Sequence, residues 1–262
     1  MKKHDILTAT GLVAGTILLI IGMSTGSSLM IFWDISSVLI TMGGSFCAVL
    51  IAFSMEEVKS LGKVLIETFK EKSTSPSETI SLFVEFARKA RKDGLLSLED
   101  SIEEIEDEFI KKGLQMVIDG FEPDEVREIL ELEISESESR HLSSANVLNS
   151  WGAYAPAFGM LGTLIGLIQM LQNLTDMANI ASGMGKALIT TFYGSILANL
   201  FCNPLAANLR NKDKKEIGNR EMIVEGILSI QSGTNPKILE QKLLTFLGPK
   251  DRESYLEMVA NQ

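Results

Sequence analysis

Apolar and polar positions along this chain are segregated into long blocks. Windows of about 20 apolar residues, the length a helix needs to cross ~30 Å of hydrocarbon, fall in two pairs: Ile6 to Met23 with Met30 to Phe53, and Trp151 to Leu174 with Gly183 to Leu205. A short Ser/Gly stretch (Ser24, Gly26, Ser27, Ser28) suits a tight hairpin in the first pair, and Asn173 to Ser182 joins the second. Between the pairs, from about Ser54 to Ser150, lies an insert whose runs of carboxylates cannot sit in lipid. The pattern predicts an all-α fold, a polytopic membrane protein with four transmembrane helices and a helical domain outside the bilayer. Its parts are a first hairpin over 1–53, the insert over 54–150, a second hairpin over 151–205 and a helical tail over 206–262.

Inside the insert, Ser75-Pro76-Ser77-Glu78 reads as a capping box with Pro at the first helical position. The apolar positions Ile80, Phe83, Val84, Ala87 and Ala90 run from it to Gly94 as a C-cap. A second cap at Ser97, with Asp100 three residues on, predicts a helix with Ile102, Ile105, Phe109, Leu114 and Val117 on its apolar face, ending near Gly120. Pro123-Asp124-Glu125 opens a third, with no strong breaker before Trp151, so it is expected to run straight into the third span and couple insert to membrane rigidly. Beyond the fourth span, Asn211 to Gln231 and Pro236 to Phe246 read as two amphipathic helices separated by Gly233 and the Asn235-Pro236 turn. No strand pattern, low-complexity tract or internal repeat is visible.

Charge fixes the expected orientation. Lys2, Lys3, Lys59, Lys63, Arg210, Lys212, Lys214 and Lys215 flank the spans on one side, whereas neither hairpin loop carries Lys or Arg. The positive side faces the cytoplasm, which puts both termini and the insert inside a multi-pass protein of the bacterial cytoplasmic membrane. A mean hydropathy of +0.18 alongside 22% charged residues reflects the same segregation. The net charge of −10 argues against nucleic acid as a partner. With His4 and His141 the only histidines, no His-based metal site or hydrolytic triad is available, no Gly-rich phosphate loop is present, and nothing reads as an enzyme or calls for a cofactor. Cys47 and Cys202 fall inside predicted spans and are read as small packing residues.

Charges are absent from the deeper parts of the predicted spans, and no Asp or Glu lies in the middle of any of them. If the protein moves a cation, the titrating carboxylate must come from another chain. The third and fourth spans instead carry small and hydroxyl residues at helical spacing: Pro156, Gly159, Thr163 and Gly166 on one, Ala187, Thr191, Gly194 and Ala198 on the other. Gly162 with Gly166, like Gly11 with Gly15, makes a G-x-x-x-G pair that lets helices approach closely. Packing accounts for the glycines. The hydroxyls of Thr163, Thr190 and Thr191 fit two readings, oxygen ligands along an ion path or back-bonding to their own helix. Pro156 is expected to kink or loosen the third span, as a static bend or a hinge. Asp34, opening the second span, is either a hydrated carboxylate that attracts cations or a plain helix-start residue.

The run Pro156-Ala157-Phe158-Gly159-Met160-Leu161-Gly162-Thr163-Leu164-Ile165-Gly166-Leu167 and the segment Ala187-Leu188-Ile189-Thr190-Thr191-Phe192-Tyr193-Gly194 closely resemble the last two spans of the flagellar stator A subunits. That family (MotA, PomA and MotP, within the MotA/TolQ/ExbB ion channel superfamily) has proton-driven and sodium-driven members. The resemblance extends over nearly the whole chain through Phe32-Trp33-Asp34-Ile35, Arg91-Lys92-Asp93-Gly94-Leu95-Leu96-Ser97-Leu98-Glu99 and Val224-Glu225-Gly226-Ile227-Leu228-Ser229-Ile230-Gln231. It implies a ring of five A subunits around two B-type stator subunits, each B helix supplying the ion-binding Asp. Ion flow (H+ or Na+) would turn the ring and drive the rotor switch protein FliG. By position, Thr163 and Thr191, with Thr190 beside them, would line the ion path, Pro156 would couple ion binding to movement, and Arg91 and Glu99 would meet the rotor. Paired threonines lean towards sodium without deciding the ion.

The insert adds to the rotor reading on its own account. Arg88, Lys89, Arg91 and Lys92 form a basic cluster directly before the acidic run Glu99 to Glu108, and adjacent patches of opposite sign favour fast, oriented encounters over tight binding. The alternatives are an ExbB or TolQ type energiser of the outer membrane, against which the first hairpin counts, and a passive membrane scaffold.

Overall fold

A computed structural model describes residues 6–68, 75–172 and 177–260. Lys2, Lys3 and His4, and residues 173–176 of the predicted connection between the third and fourth spans, lie outside the described residues, as does the side chain of Lys63. Among the described residues there is no strand. Four helices among the described residues are long and apolar enough to cross a membrane. The chain divides into two compact units, Met1–Lys72 with Arg140–Asn211 and Ser73–Ser139 with Lys212–Gln262.

The first unit carries the spans. The first, Ile6–Ser24, leaves Val13, Leu18 and Ile21 exposed, as a helix does when lipid or a neighbour is to cover it. Of its predicted glycine pair only Gly15 meets another span, at Leu200; a Cβ on Gly11 would meet nothing. The second span does not run unbroken from Met30, as the hydropathy predicts. A 3-10 turn, Leu29–Phe32, gives way to extended backbone at Trp33 and Asp34, and the Asp34 carboxylate then caps a fresh helix over 35–52 by accepting from the Ser37 amide. The third span is the second half of a 49-residue helix, Pro123–Leu171, which runs through Trp151 as the lack of a breaker predicts and continues past Pro156. The fourth lies in a helical run over 177–231, so the expected separate helix from Asn211 is its continuation, and its helix begins at Met177, ahead of the predicted Gly183.

Two of these spans contain a π-helical turn, Leu39–Gly43 in the second and Leu197–Cys202 in the fourth. Each serves a stripe that repeats every four residues. At about 100° per residue such a stripe drifts off its face by about 40° per step. Ser37, Thr41, Ser45 and Val49 are nonetheless all buried, because the π turn takes up one extra residue and returns the stripe to the same face. Thr190, Ala198, Cys202 and Ala206 are kept buried in the fourth span in the same way. Cys202 packs as predicted, but Cys47 is exposed on the apolar surface.

The second unit is a helical domain around one core. The helix Pro76–Asp93 ends at Gly94, whose φ of 87° favours glycine at the C-cap. Ser75 precedes it without the side-chain bond of the predicted capping box. The helix expected from Ser97 to Gly120 is two helices. Ser97 turns its hydroxyl back onto the Gly94 carbonyl (2.6 Å), a short helix occupies Glu99–Glu103, and Asp107 starts Glu108–Ile118 by accepting from the Phe109 and Ile110 amides. Ile80, Phe83, Leu98, Ile102, Leu114 and Leu130 meet Met222, Ile227, Leu239 and Leu243 in the core. Gly226 makes room for the Phe83 ring, where a Cβ would come within 2.8 Å.

A helix absent from the sequence reading, Pro249–Ala260, follows Pro236–Leu244, the helix predicted to reach Phe246. It is anchored by buried Tyr255, whose hydroxyl donates to Glu240 (2.8 Å). Burial first, and then the Glu240 carboxylate, push this phenol up to about 12.

Candidate functional site

The third and fourth spans cross with backbone nearly on backbone. A Cβ on Gly166 would lie 2.8 Å from the Gly183 carbonyl oxygen, one on Gly194 2.6 Å from that of Ala155, and one on Gly159 3.0 Å from that of Thr190. Gly162 receives the Thr190 side chain. The predicted Gly162/Gly166 pair is thus a packing seam between these two spans.

That seam sorts the three threonines. Thr190 is 1% exposed, and its hydroxyl bonds its own helix at the carbonyls of Lys186 (3.1 Å) and Ala187 (2.9 Å). Its own carbonyl accepts from Thr41 of the second span (3.3 Å). Thr163 and Thr191 sit together, hydroxyl to hydroxyl at 2.6 Å. The Thr163 Oγ1 is also 3.0 Å from the Gly159 carbonyl and 3.2 Å from that of Ala187, and the Thr191 Oγ1 is 3.5 Å from the former. Two hydroxyls and two carbonyls therefore make a cluster of four oxygens, joined to Thr190 through the Ala187 carbonyl, which accepts from the Thr190 hydroxyl as well. Met160, Leu164, Met184 and Leu188 around it are exposed apolar residues, so this oxygen cluster lies on an apolar face the chain itself leaves open. It carries no formal charge. Pro156 lies close to the same seam, its Cα 3.1 Å from where a Gly194 Cβ would be.

Asp34 belongs to a separate cluster at the head of the second span. Its Oδ2 accepts from the Ser36 hydroxyl (2.6 Å), the Ser37 hydroxyl (2.6 Å) and the Ser37 amide (2.7 Å). Its amide reaches the Tyr193 hydroxyl (3.3 Å), which itself donates to the Phe32 carbonyl. Sequence reasoning missed Tyr193 and the buried ladder Ser37, Thr41 and Ser45, of which Ser45 accepts from the Trp151 indole (3.0 Å). The signal was available in their fixed spacing of four. The reading of the deeper spans as free of charge is also corrected: Lys186 stands in the fourth, half-buried.

In the second unit Arg88, Arg91, Lys92 and Glu99 are exposed, whereas Lys89 is half-buried and spends its ammonium on the Ser101 hydroxyl (2.6 Å). Arg91 ends one helix and Glu99 begins another, with Gly94 turning the chain between them. A further missed cluster sits in the first unit, where Glu57 accepts from the Ser54 amide (2.8 Å), the Ser54 hydroxyl (2.8 Å) and the Ser143 hydroxyl (2.7 Å). These bonds, that from Ser143 foremost, hold the Glu57 carboxyl below the usual range. The Ser54-x-x-Glu57 capping box was legible in the sequence.

Residues 101–222 match the MotA/TolQ/ExbB proton channel family. The chain is 47% identical over 228 residues to motility protein A of Borreliella burgdorferi, covering 87% of this chain and 88% of that protein. It is 38% identical to chemotaxis protein PomA of Vibrio alginolyticus, covering 95% and 97%. Its structure resembles that of a chain in the flagellar MotAB stator complex from Bacillus subtilis with a TM-score of 0.90 at 35% identity, covering 96% and 99%. The chain, with its four apolar helices and its glycine-lined crossing of the last two, belongs to the motility protein A family of flagellar stator proteins within the MotA/TolQ/ExbB proton channels.

Proposed function

We propose that this chain forms the ring of a flagellar stator, five copies around two B-type subunits, each of which presents an ion-binding Asp to the Thr163–Thr191 pair. The carrying observation is that pair: two neutral hydroxyls 2.6 Å apart on an uncovered apolar face, in spans with no carboxylate at that depth. Such a cluster complements a carboxylate brought by another chain and can share a small cation with it. Thr190 supports the path from behind by seating the fourth span on the second and third. Pro156, beside Gly194, is where movement of the third span passes to the fourth. Both termini and the insert face the cytoplasm, in the cell membrane, and Arg91 and Glu99, flanked by Arg88 and with Lys89 held in place by Ser101, meet the rotor switch protein.

The test is to co-express the chain with its cognate B subunit in a stator-deleted swimmer, in sodium and in sodium-free medium. Swimming confined to sodium is the expected result; swimming in both makes the ion a proton. No swimming from a stable complex overturns the motor. For the rotor surface, Arg91→Glu and Glu99→Lys are each expected to cut productive contacts about ten-fold, the equivalent of ~1.4 kcal/mol, because attraction becomes repulsion. Soft-agar expansion reads this against complex abundance, and normal expansion in both variants removes these residues from the interface.

A further inference from the structure

The second span is interrupted where the fourth meets it. At Trp33 and Asp34 the backbone is extended, with φ of −104° and −139°, so helical bonding stops between the turn Leu29–Phe32 and the helix over 35–52. A break inside an apolar span leaves backbone groups that lipid cannot satisfy. One half-buried side chain of the fourth span bridges it: the Tyr193 hydroxyl donates to the Phe32 carbonyl and accepts from the Asp34 amide (3.3 Å). A phenol has one proton to give and lone pairs to receive, so a single Tyr holds both sides of the break.

The contacts on either side make Tyr193 part of a band. The Phe32 and Phe192 ring centroids are 5.7 Å apart, and the Thr190 carbonyl accepts from Thr41 (3.3 Å). Residues 190, 192 and 193 of the fourth span are thus all engaged by the second, while Thr191 among them pairs with Thr163 of the third. Tyr193 and Thr191 are about 200° apart around the helix, so their side chains leave it on opposite sides. The glycine seam chooses which face of the fourth span meets the third, but glycines have no side chain to catch a small rotation. A side-chain oxygen about 5 Å from a helix axis moves roughly 1.7 Å in a turn of about 20°, more than a hydrogen bond tolerates. The Tyr193 bridge resists that turn, because both of its bonds are directional and both end on backbone atoms that no rotamer change can carry along.

We propose that Tyr193 is a positioning residue for the ion path: by spanning the break in the second span, its hydroxyl locks the rotation of the fourth and keeps Thr191 aligned with Thr163. The inference rests on the reading of that pair as the ion path. Tyr193 acts through the helix and not by contact with the ion.

The test is Tyr193→Phe, which deletes the hydroxyl and keeps the ring, in the full complex with the B subunit. One readout is the sodium or proton concentration giving half-maximal swimming speed. The other is disulfide closure between the third and fourth spans in membranes treated with copper phenanthroline, in a Cys47→Ala/Cys202→Ala parent. There Thr163→Cys is combined in turn with Thr191→Cys, Thr190→Cys or Leu188→Cys, the last two lying on either side of position 191 around the helix. With Tyr193 in place, closure should favour position 191. Tyr193→Phe should cut that preference about three-fold or more and raise the half-maximal ion concentration roughly three- to ten-fold, the ~0.6 to ~1.4 kcal/mol of one or two hydrogen bonds in a membrane interior. Phe192→Leu loses ring packing and keeps the bridge, so it should lower melting and leave the preference intact. If Tyr193→Phe behaves in the same way, Tyr193 is packing alone and the proposal is overturned. A preference lost while the ion requirement stays unmoved upholds the lock and overturns the ion-path reading of the threonine pair.

Discussion

Replacing Gly194 by Val is expected to remove most of the assembled protein from the membrane. The added Cβ would lie 2.6 Å from the Ala155 carbonyl oxygen and 3.1 Å from the Pro156 Cα, and both are backbone atoms that no rotamer change moves away. The two spans must therefore separate along the seam, forfeiting the close contact that holds helices together where lipid offers apolar side chains no preference for one another. Forcing extra methyl groups into a packed interface costs roughly 1–3 kcal/mol, sometimes more. Gly166→Val meets the Gly183 carbonyl at 2.8 Å and the Ala187 amide nitrogen at 3.0 Å, so it should behave alike. Gly185→Ala is the control, since no atom lies within 4 Å of its Cβ position. Melting of the solubilised complex and its abundance in membranes check the contrast; Gly194→Val indistinguishable from Gly185→Ala would mean that the seam does not exist.

The same seam separates what the chain's pattern discloses from what it hides. Hydropathy places the spans because a bilayer sets a length that few other constraints mimic, and it also predicts the unbroken passage from Pro123 through Trp151. Helix ends within the insert are harder, since several side chains compete to cap. Ser97 and Asp107 both qualify, and Asp107 prevails because its carboxylate reaches two free amides while Ser97 bonds back to Gly94. The helix Pro249–Ala260 escaped notice because it buries little beyond Tyr255, too few apolar positions to make a period. For the site, neighbours such as Thr190 and Thr191 lie about 100° apart on a helix and cannot share a face. That arithmetic was available, but which of the two turns inward depends on the phase of the fourth span, and the phase is set by glycines on a different helix.

Thr163→Val and Thr191→Val are each expected to stop or severely slow swimming while the complex stays folded. Valine has nearly the shape of threonine, so the change deletes a hydroxyl and little else. The lost cross-span bond is worth on the order of 0.6 kcal/mol in a membrane interior, far short of what unfolds a helical bundle. The functional loss is larger because the two hydroxyls act as one group. With Thr163 changed, Thr191 has only its 3.5 Å approach to the Gly159 carbonyl; with Thr191 changed, Thr163 turns wholly to the carbonyls of Gly159 and Ala187. In either variant the four-oxygen cluster no longer offers a paired hydroxyl to an incoming carboxylate and its cation. The double variant should accordingly be no worse than either single one, because the pair is already gone. Thr190→Val supplies the opposite signature: its hydroxyl serves its own helix and its methyl fills Gly162, so melting should fall slightly and the ion requirement should hold. Swimming speeds measured across sodium and proton concentrations, beside melting curves of the same complexes, discriminate the two roles. Wild-type speed at every concentration in both Thr163→Val and Thr191→Val would reduce the pair to packing.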